Sequence, residues 1–247
     1  MPDSGTAKPA QPIQRWVALL PDWLVEKVPR DHREPDAAFA RRRRIVAGVA
    51  VVGSGLLGVA LSSDTDSPRF YAASLGVATT WVVGGFLSGP LHRGWMPAQA
   101  PDAGLHRPLV TPVATGVGMF GFFYGGALVA RRIPVLDAAL RRVLRFADSG
   151  FTPGLLFVTL ANGVGEEVFF RGAMYAAIGE KHPIQFSTLG YTMTTVATRN
   201  PALVLAAGVM GTLFGLQRRS SGGIQAPLLT HMTWSALMLK YLPPLFR

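Results

Sequence analysis

Seven stretches of this 247-residue chain are apolar and almost free of charge: 45–62, 70–91, 108–130, 154–178, 184–198, 201–217 and 222–239. At about 1.5 Å of rise per residue, the first three are each roughly long enough to cross a hydrocarbon core as a helix. The fifth is weaker and rich in threonine. The pattern predicts an all-α fold: a polytopic transmembrane helix bundle of about seven spanning helices, with interfacial helices beside them.

Charge is scarce and confined. Charged residues make up 15% of the chain, against roughly 25% in soluble domains. The formal net charge is +10, a balance that in a soluble protein would suggest nucleic acid. Here the arginines gather at the ends of apolar runs, as Arg41 to Arg44, Arg131 with Arg132, and Arg218 with Arg219. That distribution belongs to membrane interfaces, so the predicted partner is the lipid bilayer and not a nucleic acid. No cysteine is present, which excludes disulfides, thiolate zinc sites, a cysteine nucleophile and S-lipidation.

Three parts follow. Residues 1–44 are polar at first and then carry an interfacial stretch at 13–28, IQRWVALLPDWLVEKV. They predict no cleavable signal peptide, and the terminal PPLFR predicts no lipid anchor. Residues 45–150 hold the first three runs and a basic amphipathic segment, 131–150, suited to the membrane surface. Residues 151–247 hold the remaining four. Arg41–Arg44 argue for a cytoplasmic N-terminus. If all seven runs span, Arg131–Arg145 then fall outside; either one early run does not cross or the surface helix overrides the rule. The arginine-flanked runs fit a multi-pass protein of a plasma (inner) membrane, and the Ala-, Gly- and Arg-rich usage points to a bacterium.

Within the seven runs only four side chains are acidic, basic or imidazole: Glu166, Glu167, Arg171 and His231. A charge at the centre of a spanning helix costs about 2.5–3.5 kcal/mol or more, so each needs a reason. Glu167 and Arg171 are four apart, in the favourable acid-first order for a helix pair. Glu166 lies about 100° round the helix from Glu167 and is left over. His231 stands in APLLTHMTWS, with Ser235 one turn further on the same face. A glutamate and a histidine on different helices give a general base and a second polar group for a water held away from solvent. They could also ligate zinc, although two ligands fall short of the usual three.

GEEVFFRG and HMTWS resemble the EExxxR signature and the third motif of the CAAX-protease and bacteriocin-processing (CPBP, or Abi) intramembrane proteases. The resemblance covers about residues 152–239. It implies a helical bundle enclosing a polar chamber that hydrolyses a peptide bond in a membrane-associated protein or peptide. By that resemblance Glu166 is the general base, Glu167 and Arg171 position it, and His231 helps bind the water or a metal held with Glu166. Ser235 stands where an asparagine often polarises the scissile carbonyl. The cofactor is then zinc or none.

The family's second motif, a phenylalanine followed four residues later by histidine, corresponds to GTLFGLQRRSSGG. Phe214 is present, but Arg218 takes the histidine position; with Leu213 as anchor, Gln217 does. Arginine offers only donors and cannot replace a histidine ligand. Three alternatives follow. Gln217 or Arg218 stabilises an oxyanion in a metal-independent hydrolase; or the chain is a catalytically impaired scaffold or immunity-type protein; or Arg218 and Arg219 form an interfacial stop and the missing group comes from elsewhere, His182 included. A small transporter is the remaining class, since buried carboxylates also mark ion paths.

Overall fold

A computed structural model describes residues 34–64, 67–97, 104–145 and 150–246; the interfacial stretch expected at 13–28 lies outside them. All seven apolar runs are helical. In chain order the elements are α1 (Asp36–Leu61), α2 (Pro68–Ser88), the short strands β1 (Met96–Pro97) and β2 (Leu105–His106), α3 (Val110–Ala130), α4 (Pro134–Leu144) and α5 (Pro153–Glu166). A π-helical stretch (Glu167–Met174) and α6 (Tyr175–Ile178) continue α5 as one rod, followed by α7 (Pro183–Val196), α8 (Pro201–Ser221), α9 (Gln225–Tyr241) and a 3₁₀ turn at Pro243–Phe246. The two-residue antiparallel pairing of β1 with β2 is the one strand pairing among the described residues.

Local sequence explains where the rods begin. Ser67, Thr152 and Asn200 each precede a proline, and each side chain accepts a backbone N–H from the first turn of α2, α5 or α8. A hydroxyl or amide cap followed by proline at the first helical position is a strong start signal. Helix α8 ends at Gly222 in the left-handed region, as C-terminal glycines do. Helix α1 starts at Asp36 rather than at residue 45, so Arg41–Arg44 lie within the helix.

Four described helices, α1, α2, α3 and α8, are long and apolar enough to cross a membrane. Helix α7, with 14 residues, is only about 21 Å long against a core of about 30 Å. Large apolar side chains point outward: Val51, Phe86, Val110, Phe122, Phe157 and Leu205 are each more than half exposed. Such a surface suits lipid tails, and the chain is a membrane protein.

The interior is built around α2 and the α5–α6 rod. Trp81 stacks on Phe169 at 4.5 Å between ring centroids and lies 5.2 Å from Phe170; with Val46, Val77 and Ala173 they form the central cluster. Gly165 lets the rod reach α2 at mid-height, because a Cβ there would stand 2.9 Å from the Ala78 carbonyl oxygen. Close approach through small residues is how helices associate where apolar burial gives no drive. The loop after α2 is pinned to the α8–α9 turn by Trp95 N–H to Ser221 O, Ile224 N–H to His92 O and Gln225 N–H to Arg93 O. The glutamates that follow Gly165 are thereby set at the middle of the bundle.

Candidate active site

The helix changes pitch where the charges sit. From Glu167 to Met174 the rod is π-helical, and the seven residues from Glu167 to Ala173 are all buried. A π stretch inside an α-helix widens one turn and is frequent at functional sites. Where it ends, Tyr175 N–H bonds back to the carbonyls of Phe170 and Gly172, passing over that of Arg171. The skipped carbonyl accepts from Arg218 Nε, on α8, at 2.7 Å. A buried carbonyl left without a donor costs about 1–3 kcal/mol, so Arg218 stabilises the junction. Its guanidinium also lies over the Tyr175 ring, 4.9 Å from the centroid.

Glu167 is fully buried and carries two contacts on one oxygen: His231 Nδ1 at 2.8 Å and Arg171 Nη1 at 3.4 Å. The expected acid–base pair is therefore present, and it is extended to a histidine on α9. The other carboxylate oxygen of Glu167, and Nε and Nη2 of Arg171, have no hydrogen-bond partner among the described residues. Aromatic faces surround the guanidinium instead, with Tyr191 at 4.5 Å and Phe214 at 5.0 Å, an arrangement that partly offsets its desolvation. Phe214 also stacks on the His231 ring at 4.8 Å.

Glu166 differs from its neighbour. Its side chain is 18% exposed and lies 3.9 Å from His231 Nε2. Oε2 accepts a 2.6 Å hydrogen bond from the Tyr191 hydroxyl on α7, so a partner that is distant in sequence holds the glutamate left over along the helix. Oε1 carries no hydrogen bond among the described residues. Tyr191 is not marked out by the sequence, because a tyrosine in an apolar run carries no charge that needs a reason. The available hint was that it is the one tyrosine within the run 184–198.

Among the described residues, no hydrogen bond joins the remaining candidates Gln217, Ser235 and His182 to the glutamates. Gln217 donates to Thr230 Oγ1 at 2.8 Å, and Thr230 donates to Pro112 O at 2.9 Å, tying α8, α9 and α3 together. Ser235 is half-buried on α9 and is not among the hydrogen-bonded residues of the cluster. His182 caps α7 with left-handed backbone, φ 54°.

Zinc fits these donors poorly. A catalytic zinc site uses three protein ligands, and no group of three or more His, Asp or Glu side chains is arranged to hold a metal among the described residues. Glu166 and His231 present two donors; the family's third is an arginine here.

The sequence model of the family described as type II CAAX prenyl endopeptidase Rce1-like matches residues 148–237. Neither the curated proteins nor the solved structures gave a match. The matched span contains every residue of the buried cluster, from Glu166 to His231. It bears out, over residues 148–237, the resemblance to the CAAX-protease and bacteriocin-processing family carried by GEEVFFRG and HMTWS.

Proposed function

We propose that the protein is an intramembrane endopeptidase of a plasma (inner) membrane, in which Glu166 activates water without a metal. The observation that carries this reading is the contrast between the two glutamates. Glu166 is the accessible one, held by Tyr191 alone among the described residues; Glu167 is sealed and engaged by both His231 and Arg171.

Proton positions follow from the partners. A carboxylate facing His231 Nδ1 favours the tautomer in which Nδ1–H donates to Glu167 and Nε2 is left as an acceptor. Nε2 and Glu166 Oε2 are 3.9 Å apart, too long for a hydrogen bond and suited to a bridging water. Two acceptors take both water hydrogens and leave the oxygen lone pairs free for a carbonyl carbon. As the oxygen–carbon bond forms, Glu166 takes the proton. As the carbon–nitrogen bond breaks, Glu166 returns that proton to the departing amine. The products are a carboxyl group and an amine, with no net change in the enzyme. The Tyr191 hydrogen bond holds Glu166 in place.

A prenylated CAAX-type peptide is the first substrate to try, because that is the chemistry in the matched family's description. The test is cleavage of that peptide and of an unmodified membrane-embedded peptide by purified protein in proteoliposomes, with and without a zinc chelator. Expected is cleavage that resists the chelator and falls by about 10²–10⁴ in Glu166→Gln. Loss of cleavage on chelation, restored by added zinc, would overturn the metal-free mechanism. Unaltered cleavage by Glu166→Gln would remove Glu166 as the base. Failure of the wild type on both peptides would favour a non-catalytic scaffold.

A further inference from the structure

A second polar feature, lined by neither glutamate, lies where the C-terminal end of α1, the end of α4 and the start of α8 converge. A cavity of about 270 Å³ opens there, lined by Ser62, Ser63, Asp64, Arg142, Arg145 and Asn200, with Leu61, Val143 and Leu203 as its apolar wall. Helices α1 and α8 are both candidate spans, so their ends stand at the level of lipid headgroups. Because Leu61–Asp64 and Arg142 line one cavity, the arginines of α4 stand at the opposite end of α1 from Arg41–Arg44.

The lining has a definite chemistry. Arg142 and Arg145 are exposed and form no ion pair among the described residues, unlike Arg141, which pairs with Asp137 at 2.8 Å. Ser62 and Ser63 spend their hydroxyl hydrogens on the carbonyls of Gly58 and Val59, at 2.7 and 2.9 Å. Asn200 gives one of its two amide hydrogens to Ala139 O and uses its carbonyl on the first turn of α8. The cavity thus offers guanidinium donors on one side. On the other it offers acceptors: the Asp64 carboxylate and the serine lone pairs. Among the described lining residues, two arginines and one aspartate leave one positive charge.

We infer that this cavity binds the headgroup of an anionic phospholipid whose phosphodiester carries a hydroxyl-bearing group, of the phosphatidylglycerol type. The phosphodiester matches the arginines in charge and in fork geometry. The headgroup hydroxyls supply the donors that Asp64 and the serines lack, and the apolar wall continues toward the acyl chains. A single negative charge neutralises the cavity, whereas a zwitterionic headgroup leaves it charged. The site is independent of the hydrolytic reading and is tested without cleavage.

Native mass spectrometry of the full chain, released from detergent with phosphatidylglycerol, phosphatidylethanolamine or phosphatidylcholine, reads the occupancy directly. Expected is one retained phosphatidylglycerol, favoured at least tenfold over the other two. Arg142→Gln with Arg145→Gln should abolish the preference. Arg131→Gln with Arg132→Gln removes the same charge outside the cavity and should leave it intact. An equal loss in both double variants would reduce the effect to surface charge and overturn the site, and phosphatidylethanolamine retained as well as phosphatidylglycerol would overturn the headgroup assignment. Displacement of bound lipid by millimolar glycerol 3-phosphate would overturn the lipid as the ligand in favour of a soluble phosphate ester.

Discussion

Arg42 and Arg171, the two most deeply buried arginines among the described residues, differ in their surroundings. Arg42, near the start of α1, donates to both oxygens of Glu34, to Ser88 Oγ at 3.2 Å and to Pro90 O at 3.4 Å. It fastens the beginning of α1 to the end of α2, and Gly89 at φ 146° leaves the space its guanidinium fills. Among the described residues, Arg171, at mid-height, has one ion pair at 3.4 Å, and its Nε and Nη2 have no hydrogen-bond partner. The first is a strut whose hydrogen bonds are nearly complete. The second belongs to a cluster whose hydrogen bonds are incomplete among the described residues, beside a glutamate that is partly exposed. Buried polar groups in native proteins are nearly always paired, so the incomplete cluster is the one whose burial calls for a functional reason.

Four substitutions strain that contrast, from the largest expected effect downward. Arg171→Met leaves Glu167 sealed with only His231, and should lower stability by about 3–5 kcal/mol. Thermal unfolding in detergent measures this, and Glu167→Gln combined with Arg171→Met should recover part of the loss. Arg42→Met removes hydrogen bonds to a charged group and should cost about 2 kcal/mol by the same assay, with any cleavage per folded molecule unchanged. A large fall in catalytic rate from Arg42→Met would erase the distinction between strut and site.

Arg218→Lys keeps a charge but loses the fork that reaches the Arg171 carbonyl. It should cost about 1–2 kcal/mol, and hydrogen exchange should quicken across residues 171–176 and not along α3. Uniform protection there would show that the π junction does not depend on Arg218. Tyr191→Phe should be mildest, lowering kcat by about fivefold for one lost hydrogen bond of about 1 kcal/mol. A change in KM with kcat intact would move Tyr191 from positioning the base to binding substrate.

The residues show how far sequence reasoning reached. The apolar runs announced the helices because long uncharged stretches leave the backbone little alternative. The Glu167–Arg171 pair was legible because acid and base four apart meet on one helix. The switch to π pitch was not, since it moves each hydrogen bond by one residue without changing composition. Nor was the Glu167–His231 bond, which joins residues 64 apart. Local patterning placed His231 with Glu166 as readily as with Glu167, and only the packing of α9 against the rod separates them. Arg42 reads in sequence as one of four interfacial arginines; its burial depends on Glu34 and on where α2 ends.

The central claim is a division of labour between adjacent glutamates, and one paired measurement addresses it. Glu166→Gln and Glu167→Gln are each assayed in proteoliposomes for peptide cleavage and for thermal unfolding. The predicted result is that Glu166→Gln loses cleavage by about 10²–10⁴ while unfolding close to the wild-type temperature, and that Glu167→Gln unfolds several degrees lower. The reverse pattern, in which Glu166→Gln unfolds early yet still cleaves while Glu167→Gln stays stable and inactive, would contradict the account.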